Sequence, residues 1–231
     1  MSRMYKRGTE VIKGNTLLRK TTVRPIDIPD LEIWYDFSDA STVTLDTGKV
    51  SQILDKSGNN RTATQTASAQ RFTYPSTVVN GHNTAFVTNS VGGYSNIRMD
   101  VAGSSNIGTM FFLSNYSATA NFSFFNGLWG HGGNDGIWGL PSQTNLISTF
   151  ENLATFYSNG NQTNSFLPMA THKVTSVVLS SPEAQEAPYK LGQNNAGSWG
   201  GDIGEVVIYN RVLTKTERWA VQDYLIKKWG I

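Results

Sequence analysis

The segment of residues 200–231, GGDIGEVVIYNRVLTKTERWAVQDYLIKKWGI, places the strongest constraint on the fold of this chain. Its first part follows two glycines and is rich in β-branched and aromatic residues, which predicts a strand over residues 203–209. The apolar side chains fall on both faces: Val206 and Ile208 on one, and Ile203, Val207 and Tyr209 on the other. A strand that is apolar on both faces is usually internal, so we expect sheet neighbours and packing on both sides.

The second part of the segment predicts a helix that packs on this sheet. Thr214 and Glu217 have the spacing of a capping box, in which each side chain binds the other residue's backbone N–H. Gly230 then marks the C-terminal end of the helix. The apolar positions recur at helical spacing at Val221, Tyr224, Leu225 and Trp229. We expect this helix to cover an edge or end of the sheet.

The remainder of the chain after residue 30 shows short apolar runs separated by turn signals. Examples are SGNN at residues 57–60, Asn80-Gly81 and Gly160. The 22 glycines and a charged fraction of only 16% suit many turns and few long helices. The sequence therefore predicts an all-β fold, a two-sheet antiparallel jelly-roll sandwich over residues 31–231 with a short C-terminal helix.

Positive charge is concentrated before that domain. Residues 1–30 carry seven basic and three acidic residues, a net +4, whereas the other residues carry 12 basic and 14 acidic residues, a net −2. The segment has weak periodicity and ends in the proline-punctuated VRPIDIPD. We interpret residues 1–30 as an extended basic arm that docks on a neighbouring protein. Its basic residues are Arg3, Lys6, Arg7, Lys13, Arg19, Lys20 and Arg24.

Four stretches of the chain resemble a known family. LEIWYDFSDASTVTL, VSQILDKSGNNRTATQ, NGHNTAFV and WGGDIGEVVIYNRVLTKTERWAVQDYLIKKWGI are similar to stretches of concanavalin A-like (laminin G-like) jelly-roll domains, in the branch found in bacteria and bacteriophages. The resemblance covers residues 30–231, and between residues 90 and 190 it lies only in the strand pattern. It implies two curved antiparallel sheets and a binding or structural role, which in phage genomes is that of a virion protein. Some relatives are glycan-active enzymes, and fold alone does not decide between these roles.

The spacing of the acidic residues along the sequence does not predict a glycosidase active site. A retaining glycosidase needs two carboxylates about 5–5.5 Å apart, and on one strand residues at even spacing share a face. Asp202 and Glu205 are at an odd spacing, which predicts opposite faces, and Glu205 is expected to pair with a basic residue such as Arg211. With no cysteine and three scattered histidines, the sequence also predicts no metal site and no cofactor. No run approaches the length of a membrane span.

The stretch GLWGHGGNDGIWGL at residues 127–140 is the best candidate ligand loop. Sugar recognition needs a flat aromatic face and a few fixed polar groups, and this stretch holds both kinds. The alternative is a glycine-rich turn whose tryptophans belong to the core, since tryptophan is mostly buried. The candidate binding residues are Trp129, His131, Asn134, Asp135 and Trp138.

These observations favour a non-enzymatic bacteriophage virion protein, assembled in the host cytoplasm and anchored by residues 1–30 to major capsid or tail proteins. Capsid decoration is the first hypothesis, and a tail or fibre component is the second. The alternative function is a carbohydrate-binding module for a host surface glycan. The basic arm favours a protein partner over nucleic acid, because its charges are dispersed and lack an aromatic platform. The sequence does not decide whether the chain forms a homo-oligomer.

Overall fold

The computed structural model describes residues 4–7, 10–13, 16–19, 22–88, 97–116, 126–130, 136–140, 145–149, 153–168, 170–185, 189–193 and 198–231. The strands before the first large gap are β1 (Met4–Arg7), β2 (Glu10–Lys13), β3 (Thr16–Arg19), β4 (Leu31–Asp36), β5 (Val43–Asp46), β6 (Lys49–Ile53), β7 (Ala63–Thr64), β8 (Val78–Val79), β9 (His82–Asn83) and β10 (Ala85–Val87). The later elements are β11 (Met99–Val101), β12 (Ser105–Ser114), β13 (Asn126–Gly130), β14 (Gly136–Leu140), β15 (Asn145–Ser148), β16 (Ala154–Ser158), β17 (Asn161–Gln162), β18 (Lys173–Gln185), β19 (Tyr189–Leu191), β20 (Gly201–Tyr209) and the helix α1 (Lys215–Trp229).

Two large antiparallel sheets form the body of the protein. The first, which we call the helix-side sheet, has the order β10-β20-β12-β18-β16-β17, with β4 also paired to β20. The second, the far sheet, has the order β15-β14-β13-β19-β11-β7-β6-β5. The prediction of a mostly β, antiparallel chain with a C-terminal helix is confirmed.

The main hydrophobic core lies between these two sheets, in a β-sandwich-like arrangement. The helix-side sheet contributes Tyr35 and Phe112, and the far sheet contributes Ile53, Trp129 and Tyr189, all of them without exposed surface. Strand β12 shows the alternation expected for sheet-on-sheet packing, because Met110 and Phe112 belong to this core whereas Phe111 between them lies on the other face.

The helix packs on the outer face of the helix-side sheet, not on an edge or end of the sandwich as the sequence predicted. Val221, Leu225 and Trp229 form a second buried cluster with Phe111 and Val207 of that sheet. The helix therefore adds a third layer, because β20 is apolar on both faces and each face needs a cover. The capping box of Thr214 and Glu217 and the left-handed Gly230 at the C-terminus are present as predicted.

A bulge in β20 changes the faces that the sequence predicted for its first residues. Leu113 of β12 pairs with Glu205, and the next residue pairs with Ile203, so Gly204 is the extra residue. A side chain on Gly204 would meet Trp229 on the helix side, whereas Ile203 packs in the main core. Asp202 and Glu205 therefore point to the same, helix-covered side of the sheet, and the prediction of opposite faces was wrong.

The N-terminal residues contain three strands that the sequence did not predict. Strands β1, β2 and β3 form a separate antiparallel sheet, whose strands pair only with one another among the described residues. The contacts to the sandwich begin before residue 30. Ile28 is buried beneath the helix, and the Tyr209 hydroxyl donates a hydrogen bond to the Pro25 carbonyl at 2.8 Å. Residues 22–30 thus pack with the sandwich.

The turns follow their sequence signals. The two-residue turn between β8 and β9 has positive φ at both Asn80 and Gly81, a conformation that asparagine and glycine tolerate best. The turn between β16 and β17 repeats this pattern at Asn159 and Gly160. No helix in the described part of the chain is long and apolar enough to cross a membrane.

Candidate functional site

The predicted ligand loop at residues 127–140 is largely a hairpin. Trp129 lies in β13 and Trp138 in β14, and the two strands pair with each other. The Trp129 ring has no exposed surface and stacks on Tyr189 at a centroid distance of 5.7 Å. It belongs to the core, so it offers no face to a sugar. His131, Asn134, Asp135 and the side chain of Trp138 lie outside the described residues, and their role stays a prediction.

Glu205 is the centre of a buried polar cluster beneath the helix. Its carboxylate has no exposed surface and accepts four hydrogen bonds. Trp34 Nε1 donates at 2.7 Å and the Tyr224 hydroxyl at 3.2 Å to Oε1. Trp229 Nε1 donates at 2.8 Å and Lys228 Nζ at 2.7 Å to Oε2. Burial and the nearby charge of Asp36 raise the pKa of Glu205, and Lys228 opposes them.

Lys228 joins Glu205 to a second carboxylate at the end of β4. Its Nζ donates to Asp36 Oδ1 at 2.7 Å, while Lys56 Nζ donates to Asp36 Oδ2 at 2.9 Å and to Asp39 at 2.8 Å. Burial pushes the pKa of Asp36 upward, but Lys228 and the hydrogen bonds to its carboxylate bring it below its usual value. Hydrogen bonds from Lys56 and a serine hydroxyl lower the pKa of Asp39 to about 2. Both aspartates are therefore held as anions by lysines.

The predicted pairing of Glu205 with Arg211 was wrong. Arg211 instead binds Asp30 at 3.0 Å and Glu217 at 2.7 Å, so it ties the chain before β4 to the start of the helix. The basic partner of Glu205, Lys228, is 23 residues away at the other end of α1. The pairing of Lys228 with Glu205 depends on how the helix lies over the sheet, so the sequence spacing of the two residues does not predict it.

Asp202 forms the other buried carboxylate site of β20. It accepts hydrogen bonds from the hydroxyls of Ser76 at 2.8 Å and Thr77 at 3.1 Å, and from Asn115 Nδ2 at 2.9 Å. His172 Nε2 lies 3.5 Å from Asp202 Oδ2. Burial opposes ionisation, but the nearby His172 ring and the hydrogen bonds from the hydroxyls lower the pKa of Asp202. The serine bonds to the aspartate, not to the histidine, so this is not a nucleophile–base pair.

The DKSGNN turn, one of the stretches that carry the family resemblance, has a structural role. Asp55 accepts hydrogen bonds from the backbone N–H of Trp34 at 2.9 Å, of Ser57 at 2.9 Å and of Arg61 at 3.0 Å. Asn59 Nδ2 donates to the Leu31 carbonyl at 2.8 Å. The turn therefore fastens its own loop to β4 through one carboxylate and one amide.

The histidine and acidic residues that the structure describes are dispersed. Within the described ranges, no three histidine or acidic side chains are grouped as they would be around a metal ion. The carboxylates of Asp36 and Asp39 are bound by lysines and by serine hydroxyls of their own turns.

Four of the seven basic residues of the predicted arm lie in the N-terminal sheet. Lys6 and Arg7 are in β1, Lys13 is in β2 and Arg19 is in β3. Arg24 lies after the sheet and bonds to Asp27 at the surface. Arg3 and Lys20 are outside the described residues.

Comparison with known proteins provides no further assignment. The chain matches no protein-family model, no curated protein and no solved structure.

Proposed function

We propose that this chain is a non-enzymatic structural module with a concanavalin A-like jelly-roll fold, anchored to a bacteriophage particle by its N-terminal sheet. A capsid-decoration role is the first choice, and a tail or fibre component is the second. The support is of three kinds: the N-terminal sheet, the state of the buried carboxylates, and the motifs of the sandwich.

The N-terminal sheet is the observation that carries the anchoring role. Each of its three strands has only four residues. The register pairs Tyr5 with Ile12 and Ile12 with Leu17, so these three residues form one apolar row across the sheet. Three short strands become stable when an apolar face packs on another surface. A small sheet with an apolar row and four basic residues suits a neighbouring protein with an apolar and acidic surface.

The buried carboxylates support a structural role over a catalytic one. A general acid or base must come within hydrogen-bond reach of the substrate. Glu205 has no exposed surface and is saturated by four donors, and Asp202 is enclosed by hydroxyl and amide donors. These carboxylates fasten the helix and the β8–β9 hairpin to β20.

The jelly-roll assignment is supported by the two sheets that share one core and by the motifs that resemble the family. The DKSGNN turn anchors β4, and the C-terminal strand and helix complete the helix-side layers. The virion assignment depends on the resemblance of these motifs.

The test is deletion of residues 1–21, which removes the N-terminal sheet but keeps Pro25 and Ile28. The full-length chain and the truncated chain are each produced together with the other structural proteins of the particle, and the particles are purified on a density gradient. We expect the full-length chain in the particle fraction and the truncated chain in the soluble fraction, with the same thermal unfolding midpoint. A third variant, with Lys6, Arg7, Lys13 and Arg19 changed to glutamine, separates the contribution of charge from that of the apolar row.

Equal incorporation of the truncated chain would show that the N-terminal sheet is not the anchor. Absence of the full-length chain from the particles would reject the virion role itself. A loss of incorporation in the glutamine variant assigns the docking to charge, and full incorporation assigns it to the apolar row.

A further inference from the structure

A groove at the edge of the helix-side sheet has the composition of a binding site. It lies between the β16–β17 hairpin and the first turn of α1, and has a volume of about 390 Å³, within the range of roughly 300–1,000 Å³ for small-ligand pockets. The residues that line it are Tyr157, Gly160, Asn161, Gln162, Val178, Leu213, Lys215, Arg218 and Trp219. None of them belongs to the loop at 127–140 or to the N-terminal sheet.

Arg218 is the feature of this groove that most needs a ligand. The residue is only 5% exposed, and its guanidinium stacks on the Tyr157 ring at 3.6 Å from the centroid. Its Nη1 has no hydrogen-bond partner, and no carboxylate of the described residues forms an ion pair with it. An arginine is always charged, and a buried charge that has an aromatic ring but no carboxylate beside it remains costly. An anionic group that enters the groove would relieve this cost.

The electrostatic character of the groove points to the same class of ligand. Lys215 is exposed, and its side chain forms no ion pair with a described residue, so the lining carries two cations and no acid. The nearest acid in sequence, Glu217, is bound to Arg211 and to the capping residue Thr214. The helix N-terminus adds a partial positive charge on the same side.

The other lining residues suit a ring rather than a peptide strand. Trp219 is 49% exposed and presents a flat aromatic surface at the rim, where the C–H face of a sugar can stack. Asn161 and Gln162 supply exposed amides for hydroxyl groups. They form β17, the edge of the sheet, which is only two residues long and is too short to pair with an added peptide strand.

We propose that this groove binds an acidic saccharide, a sugar that carries a carboxylate or phosphate group. The anion binds Arg218 and Lys215, the ring stacks on Trp219, and the hydroxyls bond to Asn161 and Gln162. This inference is independent of the virion role, because it depends on none of the residues that were assigned to anchoring.

The experiment titrates the full-length chain with four probes in low salt, followed by NMR of the indole N–H signals. The probes are trigalacturonic acid for the carboxylate, glucose 6-phosphate for the phosphate, maltotriose as a neutral saccharide and tetraglutamate as an acidic peptide. Two exposed positions are changed, in Trp219→Ala and Lys215→Gln, so that the fold is preserved, and Arg218→Lys tests the guanidinium fork. Lys227→Gln is the matched control, since it removes one lysine from the same helix about 18 Å away at 1.5 Å per residue.

We expect one or both acidic saccharides to bind, and the stronger of the two identifies the anion. Trp219→Ala and Lys215→Gln should each weaken that binding by about tenfold or more, whereas Lys227→Gln should change it by less than about twofold. Binding should also weaken as salt rises, because the attraction between exposed charges is screened. Equal affinity for maltotriose would overturn the anionic part of the proposal, equal affinity for tetraglutamate would overturn the saccharide part, and no binding of any probe at 10 mM would overturn both.

Discussion

Lys228→Met is the substitution that most directly tests how the helix is held on the sheet. Lys228 Nζ lies 2.7 Å from both Asp36 Oδ1 and Glu205 Oε2, so one ammonium neutralises two buried carboxylates. Methionine has a similar length and keeps the packing of the stem, but removes the charge. Asp36 retains Lys56 as a partner, whereas Glu205 is left with the three uncharged donors Trp34, Tyr224 and Trp229.

The magnitude follows from the protonation of Glu205. Burial and Asp36 already raise the pKa of Glu205, and the loss of Lys228 raises it further. The folded variant avoids a buried, unpaired anion by binding a proton. Since an unfolded glutamate has a pKa of about 4.3 and one pKa unit is worth about 1.36 kcal/mol, the proton limits the cost of the buried charge to about 3.7 kcal/mol at pH 7. We expect a loss of about 2–4 kcal/mol at pH 7, which for a domain of this size is about 4–16 °C in Tm.

The pH dependence has a definite sign. A carboxyl group with a raised pKa in the folded state destabilises the protein most at high pH, and this effect disappears as the pH falls toward the unfolded pKa. The deficit of Lys228→Met should therefore shrink to about 1 kcal/mol or less at pH 5.

The assay is equilibrium urea unfolding followed by circular dichroism, at pH 7 and pH 5. Lys227→Met is the control, because Lys227 is exposed and, among the described residues, its ammonium pairs with Asp223 one helical turn away, an interaction worth about 0.3–0.5 kcal/mol. If Lys228→Met were as stable as Lys227→Met at pH 7, or if its deficit did not shrink at pH 5, the assignment of Lys228 as the counter-ion of Glu205 would be wrong.

Four further outcomes are expected. Leu225→Ala or Trp229→Ala should lower the free energy of unfolding by about 2–5 kcal/mol in urea titrations, as large-to-small changes in a core do, whereas the exposed-face change Asp223→Ala should have little effect. Asp55→Ala should cost about 2–3 kcal/mol in the same assay, because it leaves the backbone N–H groups of Trp34, Ser57 and Arg61 without their acceptor, and a Ser57→Ala variant should lose less. The pKa values of Asp39 and Glu217 are lowered to about 2 from 3.8 and 4.5, so the stability they provide is complete above those ordinary values and is lost as the pH falls toward 2, which thermal unfolding at stepped pH will measure. The purified chain should release no reducing ends from acidic or neutral polysaccharides, and release that disappears when a single carboxylate is removed would contradict the non-enzymatic assignment.

The elements that the sequence predicted best are those whose signals are local. The capping residues of α1, the glycine at its end and the Asn-Gly turns are each defined within a few residues, and all of them appear in the structure. The strand over residues 203–209 was predicted because it is rich in β-branched and aromatic residues and follows two glycines, and it is extended by two residues in β20.

The features that the sequence did not predict depend on contacts between distant residues. The bulge at Gly204 can be recognised only from the pairing of β20 with β12. It changes the face of the sheet on which Asp202 lies, and its only sign in the sequence is the glycine itself. The Gly-rich stretch at 127–140 was interpreted as a ligand loop because it combines aromatic and polar residues, yet it contains β13 and β14, and Trp129 stacks on Tyr189 from β19. The groove beside Arg218 was missed because its aromatic partner, Tyr157, comes from a hairpin 61 residues earlier in the chain.

The bulge at Gly204 explains why two carboxylates on one face of one strand do not by themselves indicate a glycosidase. That arrangement is the one such an enzyme requires, but the enzyme must also leave a cleft above the carboxylates for the sugar. Here the space above Gly204 is occupied, because the Trp229 ring lies where a side chain on Gly204 would project. Glu205 thus lies beneath the helix, where Lys228 and the Trp229 indole bind it directly. The glycine is needed for the close approach of the helix, and the bulge turns Glu205 toward the groups that hold the helix in place. The cluster is thereby better suited to stabilising the third layer of the sandwich than to contacting a substrate.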